Sequence, residues 1–179
     1  TQGPSNTITC NEASGLLSAG ESLRVIQRGS ADACFCGGGD NKVNPLGLLR
    51  QIFTGQINTQ NNDQPQQAVR PFCQTAAGSV VGEGSGIVIL ESLESFENRD
   101  KQDAKVYAEI VGFGASQSVN TAQRNLTPHP QGQGIINAIK TALNDAAIDA
   151  SQINLIIPFG SGVPAYDQAE TAALVSVFG

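Results

Sequence analysis

Apolar residues recur along the chain in two kinds of run, one with helical spacing and one continuous. Between residues 11 and 28, Leu16, Leu17, Leu23, Val25 and Ile26 stand among Ala, Ser and charged residues, a pattern that predicts a partly buried helix. Arg28 followed by Gly29 marks its end. Ala31 to Cys36 is a short apolar strand, and Gly37-Gly38-Gly39 predicts a turn after it. Pro45 to Thr54 predicts a helix with proline in its first turn. The polar stretch 55–70 predicts a loop without a packing signal.

Gly78 to Leu93 is a glycine-punctuated strand region whose clearest part is Ile87-Val88-Ile89-Leu90. Ser92 to Arg99 predicts a short polar helix, and 98–104 an exposed charged loop that includes Lys101. A strand is predicted over Lys105 to Gly114, followed by a loop through Pro128 and Pro130. Gln133 to Ala147 is strongly amphipathic, with Ile135, Ile136, Ile139, Leu143 and Ile148 at helical spacing. Ile153 to Ile157 predicts a buried strand and Asp167 to Phe178 a last helix. Strands alternating with helices predict α/β layers around a mostly buried sheet. No linker and no short-period repeat interrupts the series.

Composition narrows the function classes. The 179 residues are 40% hydrophobic and 15% charged, with 20 glycines, which suits a folded α/β domain and excludes disorder. No apolar run is long enough to span a bilayer, and the polar opening Thr1-Gln2-Gly3-Pro4 does not read as a leader. The net charge is −6, and Arg24, Arg28, Arg50, Arg70 and Lys105 are scattered without interleaved aromatics. Nucleic acid is therefore not an expected partner. The chain has no Met and closes on the helical pattern Ala172 to Gly179, so we expect it to be part of a longer protein.

Candidate chemistry is sparse. Cys10, Cys34, Cys36 and Cys73 do not form a disulfide framework. Cys34 and Cys36 share a strand face, but no second ligand pair follows, and buried structural thiols are expected rather than a metal site. Gly82-Glu83-Gly84-Ser85-Gly86 runs on into a strand, where a dinucleotide fingerprint would open a helix; close backbone packing is expected and no cofactor. His129, the one histidine, lies between two prolines and is a poor platform for a general base. Glu12, Asp40, Glu83, Glu109 and Asp167 are dispersed and define no acid–base pair, and Asp40 fits an Asx-turn after the glycines.

Several stretches together resemble a β-ketoacyl synthase. They are Gly3-Pro4-Ser5-Asn6, Ile26-Gln27-Arg28-Gly29, Gly37-Gly38-Gly39, Arg70-Pro71-Phe72, Gly78 to Gly86, Leu90 to Glu94, Tyr107 to Gly114, Glu170-Thr171-Ala172-Ala173 and Val177-Phe178-Gly179. The resemblance implies a thiolase-like layered αβαβα fold, represented here by its middle portion. Residues 1–179 would form one partial domain, with roughly 1–100 ending the N-terminal half and 105–179 starting the C-terminal half. It also implies a cytoplasmic protein without cofactor or metal, and places the family's first and last segments outside this chain.

The family's chemistry needs a cysteine thiolate at a helix N-terminus and histidines that support decarboxylation. In the family that cysteine stands three residues before the glycine of the turn entering the helix. Counting back from Gly15, the position is Glu12; Cys10 lies two residues earlier and would need an insertion to serve. The family's His-Gly-Thr-Ser-Thr-Pro stretch corresponds to Phe159-Gly160-Ser161-Gly162-Val163-Pro164, so Phe159 takes the histidine position. Asp167 matches a family acidic position with an expected structural role. Gly162-Val163-Pro164 with Asp167, Ala169 and Glu170, and Gly55-Gln56-Ile57-Asn58-Thr59, resemble the chain-length factors, or ketosynthase β subunits, of type II polyketide synthases.

That resemblance implies a non-catalytic partner of a ketosynthase with vestigial positions Glu12 and Phe159, in a heterodimer that meets acyl-carrier protein. Two alternatives stay open. One is an active β-ketoacyl-acyl-carrier-protein synthase or malonyl decarboxylase using Cys10 or Glu12. The other is a non-catalytic acyl-binding homodimer.

Overall fold

The computed structural model describes residues 3–100, 105–118 and 127–179. Its elements in chain order are α1 (Ser14–Gln27), β1 (Ala33–Asn41), α2 (Pro45–Phe53), β2 (Glu83–Glu91), α3 (Leu93–Asn98), α4 (Gln133–Ala146) and α5 (Pro164–Phe178). The four longer helices and the apolar half of β2 fall where the hydrophobic pattern predicts them. The chain divides into two compact units. One comprises Thr1–Asp40 and Glu83–Val111; the other comprises Asn41–Gly82 and Gly112–Gly179.

In the first unit α1 lies against a two-stranded sheet of β1 and β2. Gly37 sits beside Gly86 and Gly39 beside Ser85, so residue numbers rise on one strand as they fall on the other and the pair is antiparallel. The three glycines 37–39 therefore continue the strand rather than turn. The cause is packing: a Cβ on Gly38 would stand 3.2 Å from the Gly15 Cα, and one on Gly37 would collide with the Gly86 carbonyl. The Ser18 hydroxyl ties α1 to β1, donating to the Gly37 carbonyl at 2.9 Å and accepting from the Gly37 N–H at 2.8 Å. Gly29 ends α1 in the left-handed conformation, φ 69°, as its position after Arg28 predicts.

Ser92 caps α3, its hydroxyl accepting from the Ser95 N–H at 3.1 Å. Arg99 closes this corner on Glu91 with bonds of 2.9 to 3.1 Å and lies over the Phe96 ring. Of the predicted charged loop 98–104, residues 101–104, Lys101 among them, lie outside the described residues.

In the second unit α4 packs on α5. Ala169 and Ala173 of α5 are fully buried, and Gly132 before α4 stands so close to both that no side chain fits there. Small residues at the contact let two backbones approach. Asn44 caps α2, accepting from the Gly47 N–H at 2.8 Å. Residues 55–70 are a loop, but a packed one: Ile57 bridges Ser79, and buried Asn58 donates to the Ala68 carbonyl at 2.8 Å and the Asn61 side chain at 2.9 Å. One asparagine amide thus does the work that apolar side chains would otherwise do, which leaves no hydrophobic trace in the sequence.

Two expected strands are absent. Residues 105–114 and 153–157 form no ladder among the described residues. The second was expected to be buried, yet Leu155 is 76% and Ile157 86% exposed. Apolar runs favour strand formation, but a strand exists only where a neighbouring backbone takes its hydrogen bonds. Gly112 and Gly114 lie on α4 against Ala142 and Ala138, and the Phe113 N–H donates to Asp145 at 2.9 Å.

Candidate functional site

The entry to α1 carries the first pair of candidates. Asn11 has φ 46°, unusual for a non-glycine residue, and starts a short 3₁₀ turn over Asn11–Ala13 that runs straight into α1. Ser14 holds this turn: its hydroxyl accepts from the Cys10 N–H at 2.7 Å and donates to the Asn11 carbonyl at 2.7 Å. Cys10 and Glu12 flank Asn11, and both are exposed. Glu12 lies in this 3₁₀ turn just ahead of α1, near the helix N-terminus, where the dipole favours a carboxylate. A carboxylate can take a proton but cannot form the thioester that a cysteine forms.

The second candidate, Phe159, belongs to the other unit and opens a loop leading into α5. Two acids one turn apart on α5 organise it. Glu170 accepts from the Phe159 N–H at 2.7 Å and the Gly160 N–H at 2.9 Å. Asp167, 4% exposed, accepts from the Gly162 N–H at 3.2 Å, the Ser161 hydroxyl at 3.0 Å and the Phe72 N–H at 2.9 Å. Gly162 also accepts from the Gly78 N–H at 3.0 Å. Gly160 and Gly162 have φ 55° and 77°, which lets the backbone turn its N–H groups onto the acids. Phe159 itself is 59% exposed and carries no group that can transfer a proton.

The structural role expected of Asp167 is thus visible in its bonds. Glu170 as a backbone clamp, and Phe72 as its neighbour's partner, were not identified from the sequence. The two positive-φ glycines followed by acids in the first turns of a helix are the signal that marks such a loop.

The remaining candidates scatter. Cys36 is buried on β1; burial pushes its thiol up, partly offset by a hydrogen bond with Ser22. Cys73 is exposed, and its Sγ lies 3.2 Å from the Thr75 hydroxyl, which draws its pKa down. His129 shapes the turn before α4, its carbonyl accepting from the Gly132 N–H at 2.8 Å. Asp40 lies within β1 rather than in an Asx-turn, and Glu83 and Glu109 are exposed. Among the described residues no three His, Cys, Asp or Glu side chains cluster as metal ligands. No helix among them is long and apolar enough to cross a membrane.

Comparison with known proteins places this architecture. Residues 1–95 match the N-terminal domain of the β-ketoacyl synthases, and residues 107–179 match their C-terminal domain. The chain is 34% identical over 178 residues to the 3-oxoacyl-[acyl-carrier-protein] synthase 2 of Staphylococcus aureus, covering 99% of this chain and 42% of that protein. It superposes with TM-score 0.84 and 32% identity on a type II polyketide synthase acyl-carrier protein in complex with its ketosynthase bound to the hexaketide, covering 93% of this chain and 40% of that one. It matches the ishigamide ketosynthase/chain length factor with TM-score 0.75 and 36% identity, over 92% and 37%. The chain thus spans about two fifths of the length of these relatives. Its fold is the α/β, thiolase-like fold expected from the glycine and strand motifs.

Proposed function

The chain belongs to the β-ketoacyl synthase family, and from that premise we propose that it is a non-catalytic, chain-length-factor-like partner of an active ketosynthase. In this reading residues up to roughly 100 belong to the N-terminal half of the domain and residues from 105 to the C-terminal half. The partner supplies the cysteine and histidines, acyl-carrier protein delivers the substrate, and the pair works in the cytoplasm. This chain contributes surface to the pocket that limits the length of the polyketide or fatty-acid-like product.

One observation carries the reading. By the motif register of the sequence, Glu12 and Phe159 take the positions that the family gives to its nucleophile and histidine, and the backbone around both is held by hydrogen bonds. The turn at Glu12 is closed by Ser14, and the loop at Phe159 by Asp167 and Glu170. Loss of reactive groups from intact loops fits retained fold and interface better than decay of the whole site. Co-expression with the cognate ketosynthase tests it. A stable heterodimer on size-exclusion chromatography, with product length that depends on this chain, is expected; a ketosynthase equally stable and active without it removes the basis of the proposal.

The exposed Cys10 thiol, two residues from Glu12, supports the enzyme reading, and relatives named as synthases favour the same chemistry. Covalent labelling of Cys10 by a thiol-directed ketosynthase inhibitor, with loss of turnover, would establish that reading. A homodimer carrying lipid in native mass spectrometry would instead identify an acyl-binding protein.

A further inference from the structure

We draw no further inference here: the strongest candidate, the thiol pair Cys34 and Cys36 on β1 beside the cavity that Cys34 lines with Ser18, Glu21 and Ser22, carries no ligand site, because burial pushes the Cys36 thiol away from the thiolate that a soft metal needs and no third His, Cys, Asp or Glu side chain joins the pair among the described residues.

Discussion

The Asp167 carboxylate accepts the Phe72 backbone N–H at 2.9 Å across 95 residues of chain. The same carboxylate takes the Gly162 N–H and the Ser161 hydroxyl, so one buried acid ties the Arg70-Pro71-Phe72 stretch to the loop before α5. Asp167→Ala leaves two backbone donors without a partner in a buried place, and we expect it to cost about 3 kcal/mol. Asp167→Asn keeps one acceptor oxygen and is expected to cost about half as much. Urea unfolding of each variant against the unmodified chain measures both.

Ala147 closes α4 in the left-handed conformation, φ 54°, and its N–H donates to the Asn144 carbonyl at 3.2 Å. Glycine adopts this conformation without a Cβ penalty. Ala147→Gly is therefore expected to raise stability by about 1 kcal/mol, net of the added freedom of the unfolded chain. The midpoint of chemical denaturation reads the effect, and a lower midpoint would mean that the Ala147 methyl makes a contact of its own.

The thiols should separate by environment. Cys73 is exposed, and its hydrogen bond to Thr75 lowers its pKa; Cys36 is buried and raised. Since the thiolate is the reactive form, maleimide at neutral pH is expected to modify Cys73 early and Cys36 last. Thr75→Val is expected to slow the reaction at Cys73 alone. Peptide mapping over a time course gives both rates.

Glu91 is held below its ordinary value of 4.5 by its hydrogen bonds to Arg99, assisted by Ser95. A carboxylate with a depressed folded pKa binds fewer protons folded than unfolded in the window between the two values. Its contribution is complete above the unfolded value and is lost as pH falls through the folded one. Melting temperature is therefore expected to fall more gently below pH 4.5 in Arg99→Gln than in the unmodified chain.

These environments were only partly legible in the sequence. The helices α1, α2 and α4 were readable because one face of each carries apolar residues at helical spacing, whereas α5 has no such face and buries Asp167 with Ala169 and Ala173. The run Ile153 to Ile157 misled, because apolar character records a preference for burial and not the neighbour that provides it. Gly37 to Gly39 misled in the opposite sense: what looked like turn glycines are glycines because Gly15 and Gly86 crowd them. At the candidate site, family register alone gave Glu12 and Phe159. The bond from Phe72 to Asp167 had no sequence signature, since a backbone N–H looks the same in every residue but proline.

The proposal that this chain carries no acyl intermediate is tested most directly by intact-protein mass spectrometry. The ketosynthase pair would be incubated with acyl-loaded carrier protein and each subunit weighed. The account predicts an acyl mass added to the partner and none to this chain, with Glu12 and Cys10 unmodified. An acyl adduct mapped to Cys10, lost in Cys10→Ser together with turnover, would contradict it.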